Sequence, residues 1–148
     1  AKRAEAPSRL RDPQGEILFG LVGGYTSVNG SSFGTAGVHL GYAALTGVVP
    51  GIRGTFFFGD LQGGQVVGTL WLTPPLDWAV VPFAVGEVGY VWQSVNGIES
   101  NGRLFGAGGG LHVGRRDNAF SLRAGVVYRV VDGTEGYYSP MVVGSFRL

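Results

Sequence analysis

The sequence contains no cysteine, which excludes disulfides, thiol nucleophiles and thiolate metal sites. Charge is also scarce. Only 14% of residues are charged and the net charge is +1, against roughly 25% charged residues in ordinary soluble domains. That balance gives no electrostatic case for a nucleic-acid partner. No apolar run approaches the roughly 18 residues of a membrane-spanning helix. No basic-then-apolar leader opens the chain either. The first stretch, "AKRAEAPSRLRDPQG", reads as the start of a mature chain whose export signal has been removed.

Glycine is abundant, with 28 of 148 residues against an average near 7%. The glycines follow no Gly-X-Y period, and apolar content is ordinary at 45%. Segments of about ten residues alternate with turn-rich pieces along the chain. The eight segments are Glu16–Thr26, Phe33–Ala44, Ile52–Asp60, Gln65–Thr73, Ala79–Gln93, Arg103–Gly114, Ala119–Val131 and Pro140–Leu148. The connections "SVNGSS", "LTGVVPG", "LQGG", "PPLDW", "SVNGIESNG", "RRDN" and "DGTEGYYS" hold the Gly, Asn, Asp, Ser and Pro that turns require. No segment carries a sustained helical period.

Within the segments, large apolar residues alternate with small or polar ones. Ile17, Phe19, Leu21 and Tyr25 share one face of the first segment; Leu18, Gly20, Val22 and Gly24 share the other. In the seventh, Phe120, Leu122, Ala124, Val126, Tyr128 and Val130 oppose Ser121, Arg123, Gly125, Val127 and Arg129. A soluble barrel or sandwich buries the large face and wets the other. A transmembrane barrel turns the large face to lipid and keeps small and polar groups inside. The second face here is largely glycine, which weakens a wetted strand but suits a narrow, crowded lumen. The expected fold is therefore all-β, an eight-stranded antiparallel up-and-down transmembrane β-barrel with a polar, glycine-rich interior. Residues 16–148 form the barrel, and residues 1–15 form a flexible periplasmic N-terminal arm. The fourth segment resists phasing, because Val66, Leu70 and Leu72 compete with Val67 and Trp71 for the lipid face. A bulge is one solution. With the N-terminus periplasmic, "RRDN" is a short inner turn while "SVNGIESNG" and "DGTEGYYS" are outer loops, the usual asymmetry. "SVNGSS" and "LQGG" are short for outer loops.

"PFAVGEVGY" in the fifth segment and "RLFGAGGGLHVG" in the sixth resemble successive strands of small outer-membrane barrels of the OmpA, OmpX and OmpW type. The ending "VGSFRL" is similar to the C-terminal signal read by the barrel-assembly machinery, with Leu148 where an aromatic is usual. The resemblance implies a bacterial outer-membrane location, membrane lipid and the barrel-assembly machinery as partners, and an interior ion network. It does not imply a specific activity.

Seven residues are placed on the inward face: His39, Arg53, Glu87, His112, Arg123, Arg129 and Arg147. A charge in a dry lumen must be paired or hydrated. Glu87 is expected to meet Arg123 across the glycine track Gly106, Gly108 and Gly110, with Arg53 as the alternative. A structural counter-ion role for Glu87 is weighed against a catalytic acid or the gate of a small pore. No catalytic, cofactor or metal residues are assigned, since two histidines need a further ligand for a metal site. Outer-membrane lipid A deacylases carry His-x-Ser, whereas the sequences here are "HLG" and "HVG". Tyr25, Trp78, Tyr90, Trp92, Tyr128 and Phe146 fit interfacial girdles, as do Tyr137 and Tyr138. The expected role is non-enzymatic: structural or anchoring, with membership of an envelope assembly as one form of it and the N-terminal arm either docking on a protein partner or plugging the barrel from below. A narrow channel is the alternative, and a soluble lipocalin-like ligand-binding barrel is the third reading.

Overall fold

A computed structural model describes residues 15–28, 30–74, 76, 78–95, 97–114, 120–132 and 136–147. Residues 1–14 of the N-terminal arm, the "RRDN" turn and Leu148 of the C-terminal signal lie outside the described residues. Eight strands run in chain order: β1 Ile17–Val28, β2 Ser31–Tyr42, β3 Val48–Gly59, β4 Gln62–Leu72, β5 Val80–Val95, β6 Ile98–Gly114, β7 Phe120–Val131 and β8 Tyr137–Arg147. Each pairs antiparallel with its neighbours, and β1 pairs with β8 to close the barrel.

The alternation read from sequence is the in-out alternation of the wall. Leu21, Tyr25, Leu40, Ile52, Phe56, Leu70, Val88, Phe105, Leu122 and Val142 are exposed on the outside, while Leu18, His39, Arg53, Thr69, Glu87, Arg123 and Ser145 are buried within. A surface this apolar around the whole circumference is that of a protein solvated by hydrocarbon. Strand β4 also falls into phase. Val66, Leu70 and Leu72 face out and Val67 and Trp71 face in. Its registers with β3 and β5 run without a slipped residue, so no bulge is needed there.

The connections differ from expectation. "SVNGIESNG" is no loop: Val95 pairs with Ile98 and the ladder runs on through Glu99 to Gly102. The first hairpin closes the same way, Val28 against Ser31. Both use an Asn-Gly pair in which the glycine has φ 80°, a left-handed value glycine adopts without penalty. At the rim opposite the chain ends, the β1–β2, β3–β4 and β5–β6 strand ends are separated by two residues, 29–30, 60–61 and 96–97. At the rim shared with the chain ends, the gaps are longer, 43–47, 73–79 and 115–119. The fourth connection at the opposite rim, 132–136, has five residues, so for the other three the length asymmetry runs against the expected one. Height replaces it, because β5 and β6 have 16 and 17 residues where roughly 9–11 cross the hydrocarbon.

Two apolar clusters occupy the lumen. Phe33, Phe57, Leu61, Val67, Val91, Leu104 and Val131 fill the end away from the chain termini, with Tyr137 packed against them. Leu18, Val49, Trp71, Phe83 and Val143 belong to the cluster nearer the termini. Polar residues lie between, which is how an eight-stranded barrel fills its interior.

Candidate functional site

The polar layer follows from a single register row. Thr69 on β4 pairs with Glu87, Glu87 with Gly106 on β6, Gly106 with Arg129 on β7, and Arg129 with Tyr137 on β8. Side chains in one row share a level and point the same way. Gly106 separates the acid from the arginine and supplies no side chain. A Cβ there would lie 3.1 Å from Glu87 Oε2 and 3.3 Å from Arg129 Cγ. The glycine leaves the space the ion pair occupies.

Glu87 is held by two arginines. Arg129 donates from Nε to Oε2 at 2.9 Å and from Nη2 to Oε1 at 3.2 Å. Arg53, from β3, donates from Nη1 to Oε1. Arg53 Nη1 also lies 3.3 Å from Met141 Sδ. All three charged residues are buried, Arg53 to 1% exposure and Glu87 to 6%. Neighbouring polar contacts continue the layer: His39 Nε2 is 2.8 Å from Thr69 Oγ1, and Thr26 Oγ1 is 2.9 Å from Ser139 Oγ.

Arg123, the partner expected for Glu87, lies elsewhere. It is in register with His112, and its Cζ sits 4.2 Å from the centroid of the Trp71 ring. His39 stacks on the same indole, centroids 3.9 Å apart and 15° between planes. Trp71 therefore carries a histidine and a guanidinium in a cation–π arrangement. The correction is one of register: β7 does supply an arginine to Glu87 across the glycine track, but six residues further along. Arg147 is also outside the cluster. It faces Glu16 at the rim, 3.6 Å away, with both side chains partly exposed.

Trp71 escaped the sequence reading because its strand offered two apolar phases. The signal that resolves it was present: Gln65 and Thr69 share its parity, and both are buried with it. The named aromatics Tyr25, Tyr90, Trp92, Tyr128 and Phe146 are exposed on the outer wall, and Trp78 is exposed in the connection between β4 and β5. Tyr128 and Phe146 each pack beside a second ring, Tyr138 and Phe120. Among the described residues no group of three metal-ligating side chains converges.

No known family model matches the sequence, and no curated protein matches it. Solved structures do. The N-terminal β-barrel domain of Pseudomonas aeruginosa OprF is similar with a TM-score of 0.74 and 12% identity, over 91% of this chain and 98% of that one. Neisserial surface protein A is similar with a TM-score of 0.65 and 14% identity, over 90% of this chain and 95% of that one. At such identities the likeness is one of fold. The chain has the closed eight-stranded fold of the small outer-membrane barrels that its strand pattern resembles.

Proposed function

We propose that this chain is a non-enzymatic barrel of a bacterial outer membrane, with a structural or anchoring role and no conducting lumen. The filled interior is the observation that carries the reading. Phe33, Phe57 and Leu61 plug one end, the Arg53–Glu87–Arg129 cluster spans the middle, and Trp71 with His39 and Arg123 fills the other end. A channel for water or small solutes would require both apolar layers to leave the axis together. Against lipid hydrolysis of the His-x-Ser kind, both histidines are 1% exposed and point inward, away from the lipid face where such a substrate lies.

The same reading puts the N-terminus in the periplasm, and the heights of the strands support it. The tall β5–β6 hairpin rises from the opposite rim, and the cell surface gives such a projection room. The arm at residues 1–15 then docks on an envelope partner below the barrel, and the last strand engages the assembly machinery. Planar-bilayer recording of the purified, refolded chain tests the central reading. Baseline current, with heat-modifiable gel mobility showing a folded barrel, is expected. Stable unitary steps from the folded form would overturn it in favour of the channel.

A further inference from the structure

The cluster around Glu87 is not neutral. One carboxylate faces two guanidinium groups, and both of its oxygens are engaged. No second acid answers the surplus among the described residues. Glu16 faces Arg147 at the rim, Asp60 accepts the Ser32 N–H, Asp132 pairs with Arg103 on the surface, and Glu99 is exposed on the tall hairpin. A buried unit charge without a counter-charge is strongly disfavoured in a lumen walled by protein and lipid.

The space beside the cluster matches the surplus. A cavity of about 10 Å³, room for about one water-sized species, is lined by Arg53, Thr55, Gln65, Arg129, Ser139 and Met141 among others. Arg53 Nε and Nη2 have no hydrogen-bond partner there, and neither do Thr55 Oγ1 and Gln65 Oε1. Two guanidinium donors, a rotatable hydroxyl and an amide that can turn its NH₂ inward thus surround one small volume. A water could fill the bonds but would leave the charge.

We propose that this cavity, once its side chains give by a few tenths of an ångström, binds one small monovalent anion of about chloride size, held by Arg53 with Thr55 and Gln65 and balancing the charge of Arg129 beside it. Tetrahedral oxyanions are too large for the volume. The cavity also lies beside the shortest ladder of the wall. The β1–β8 ladder stops at Gly23 against Val142, just short of Pro140, which lines the cavity and has no N–H to continue the pairing.

The test uses the full chain, unfolded in urea and refolded into non-ionic detergent in gluconate free of halide. Its thermal midpoint is then followed against added sodium chloride or bromide, with gluconate holding ionic strength constant. A saturable rise with halide is expected, following the mass-action form for a ligand of the folded state. Gln65→Leu should weaken the apparent halide affinity by about tenfold, the worth of one hydrogen bond to a charged group. Arg129→Met, which leaves a neutral Arg53–Glu87 pair, should abolish the rise. Crystals grown in bromide should show an anomalous peak between Arg53 and Gln65. Equal midpoints in halide and gluconate for the unmodified chain would overturn the proposal, as would a bromide crystal with only a water at that position.

Discussion

The three charges at the barrel centre should respond unequally to removal. Glu87→Gln strips the only carboxylate from between Arg53 and Arg129. Two guanidinium groups are then buried side by side, and three charge-assisted hydrogen bonds lose their acceptor charge. Breaking a buried pair in this way costs about 3–5 kcal/mol, because the remaining charge stays desolvated. Arg129→Met is different. It forfeits two hydrogen bonds but leaves Arg53 facing Glu87 as a neutral pair, and the methionine chain refills part of the volume. The two lost bonds to a charged group are worth about 3–6 kcal/mol, removal of the uncompensated buried charge offsets part of that, and a net cost of about 1–3 kcal/mol is expected. The gap of about 2 kcal/mol corresponds to about 1 M in urea midpoint for a slope of about 2 kcal/mol per M. Reversible urea unfolding in lipid vesicles, followed by tryptophan fluorescence and gel mobility, measures both variants in one buffer. If Arg129→Met were as damaging as Glu87→Gln, the counter-ion account of Glu87 would be wrong.

Three further outcomes follow from the wall. A side chain at Gly108 would meet the backbone oxygen of Val126 at 2.1 Å, whereas Gly54 and Gly86 face open space. Gly108→Val should therefore block folding, while Gly54→Ala and Gly86→Ala should fold with midpoints close to the parent, read by the heat-modifiable band. Of the three tryptophans, Trp71 points into the lumen while Trp78 and Trp92 face outward. In single-tryptophan variants, lipids brominated along the acyl chain should quench Trp92 and spare Trp71; strong quenching of Trp71 would reverse the phase of β4. At the surface, Arg103 and Asp132 pair at 3.2 Å with both side chains largely exposed. Asp132→Asn should shift the unfolding free energy by less than about 1 kcal/mol.

The sequence disclosed the barrel because in-out alternation is a local property, repeated in eight segments. The tall hairpin was hidden for a related reason. Ile98 to Gly102 reads as loop chemistry, with Glu, Ser, Asn and Gly in succession, and only pairing with β5 makes it strand. Inward placement of Glu87, Arg53, Arg123 and Arg129 also followed from parity. Which of them touch did not, because contact depends on register between strands, and register accumulates across every turn. The glycine track pointed to β7 as the strand supplying an arginine, yet Arg123 and Arg129 share its inward face and parity could not separate them. Trp71 stayed ambiguous for want of weight given to two short polar neighbours.

The row Thr69–Glu87–Gly106–Arg129 has a consequence for assembly. Strand pairing by backbone alone is indifferent to a slip of one residue, and a glycine-rich strand such as β6 offers few side chains to object. A one-residue slip of β5 as it pairs would turn Glu87 outward into hydrocarbon, where a carboxylate is heavily penalised. A two-residue slip would keep it inside but face it with Gly108 or Leu104 instead of Gly106, out of line with Arg129. Glu87, the one buried acid among the described residues, therefore works as a proofreading mark on β5, with only one sliding position of the nascent wall satisfying it.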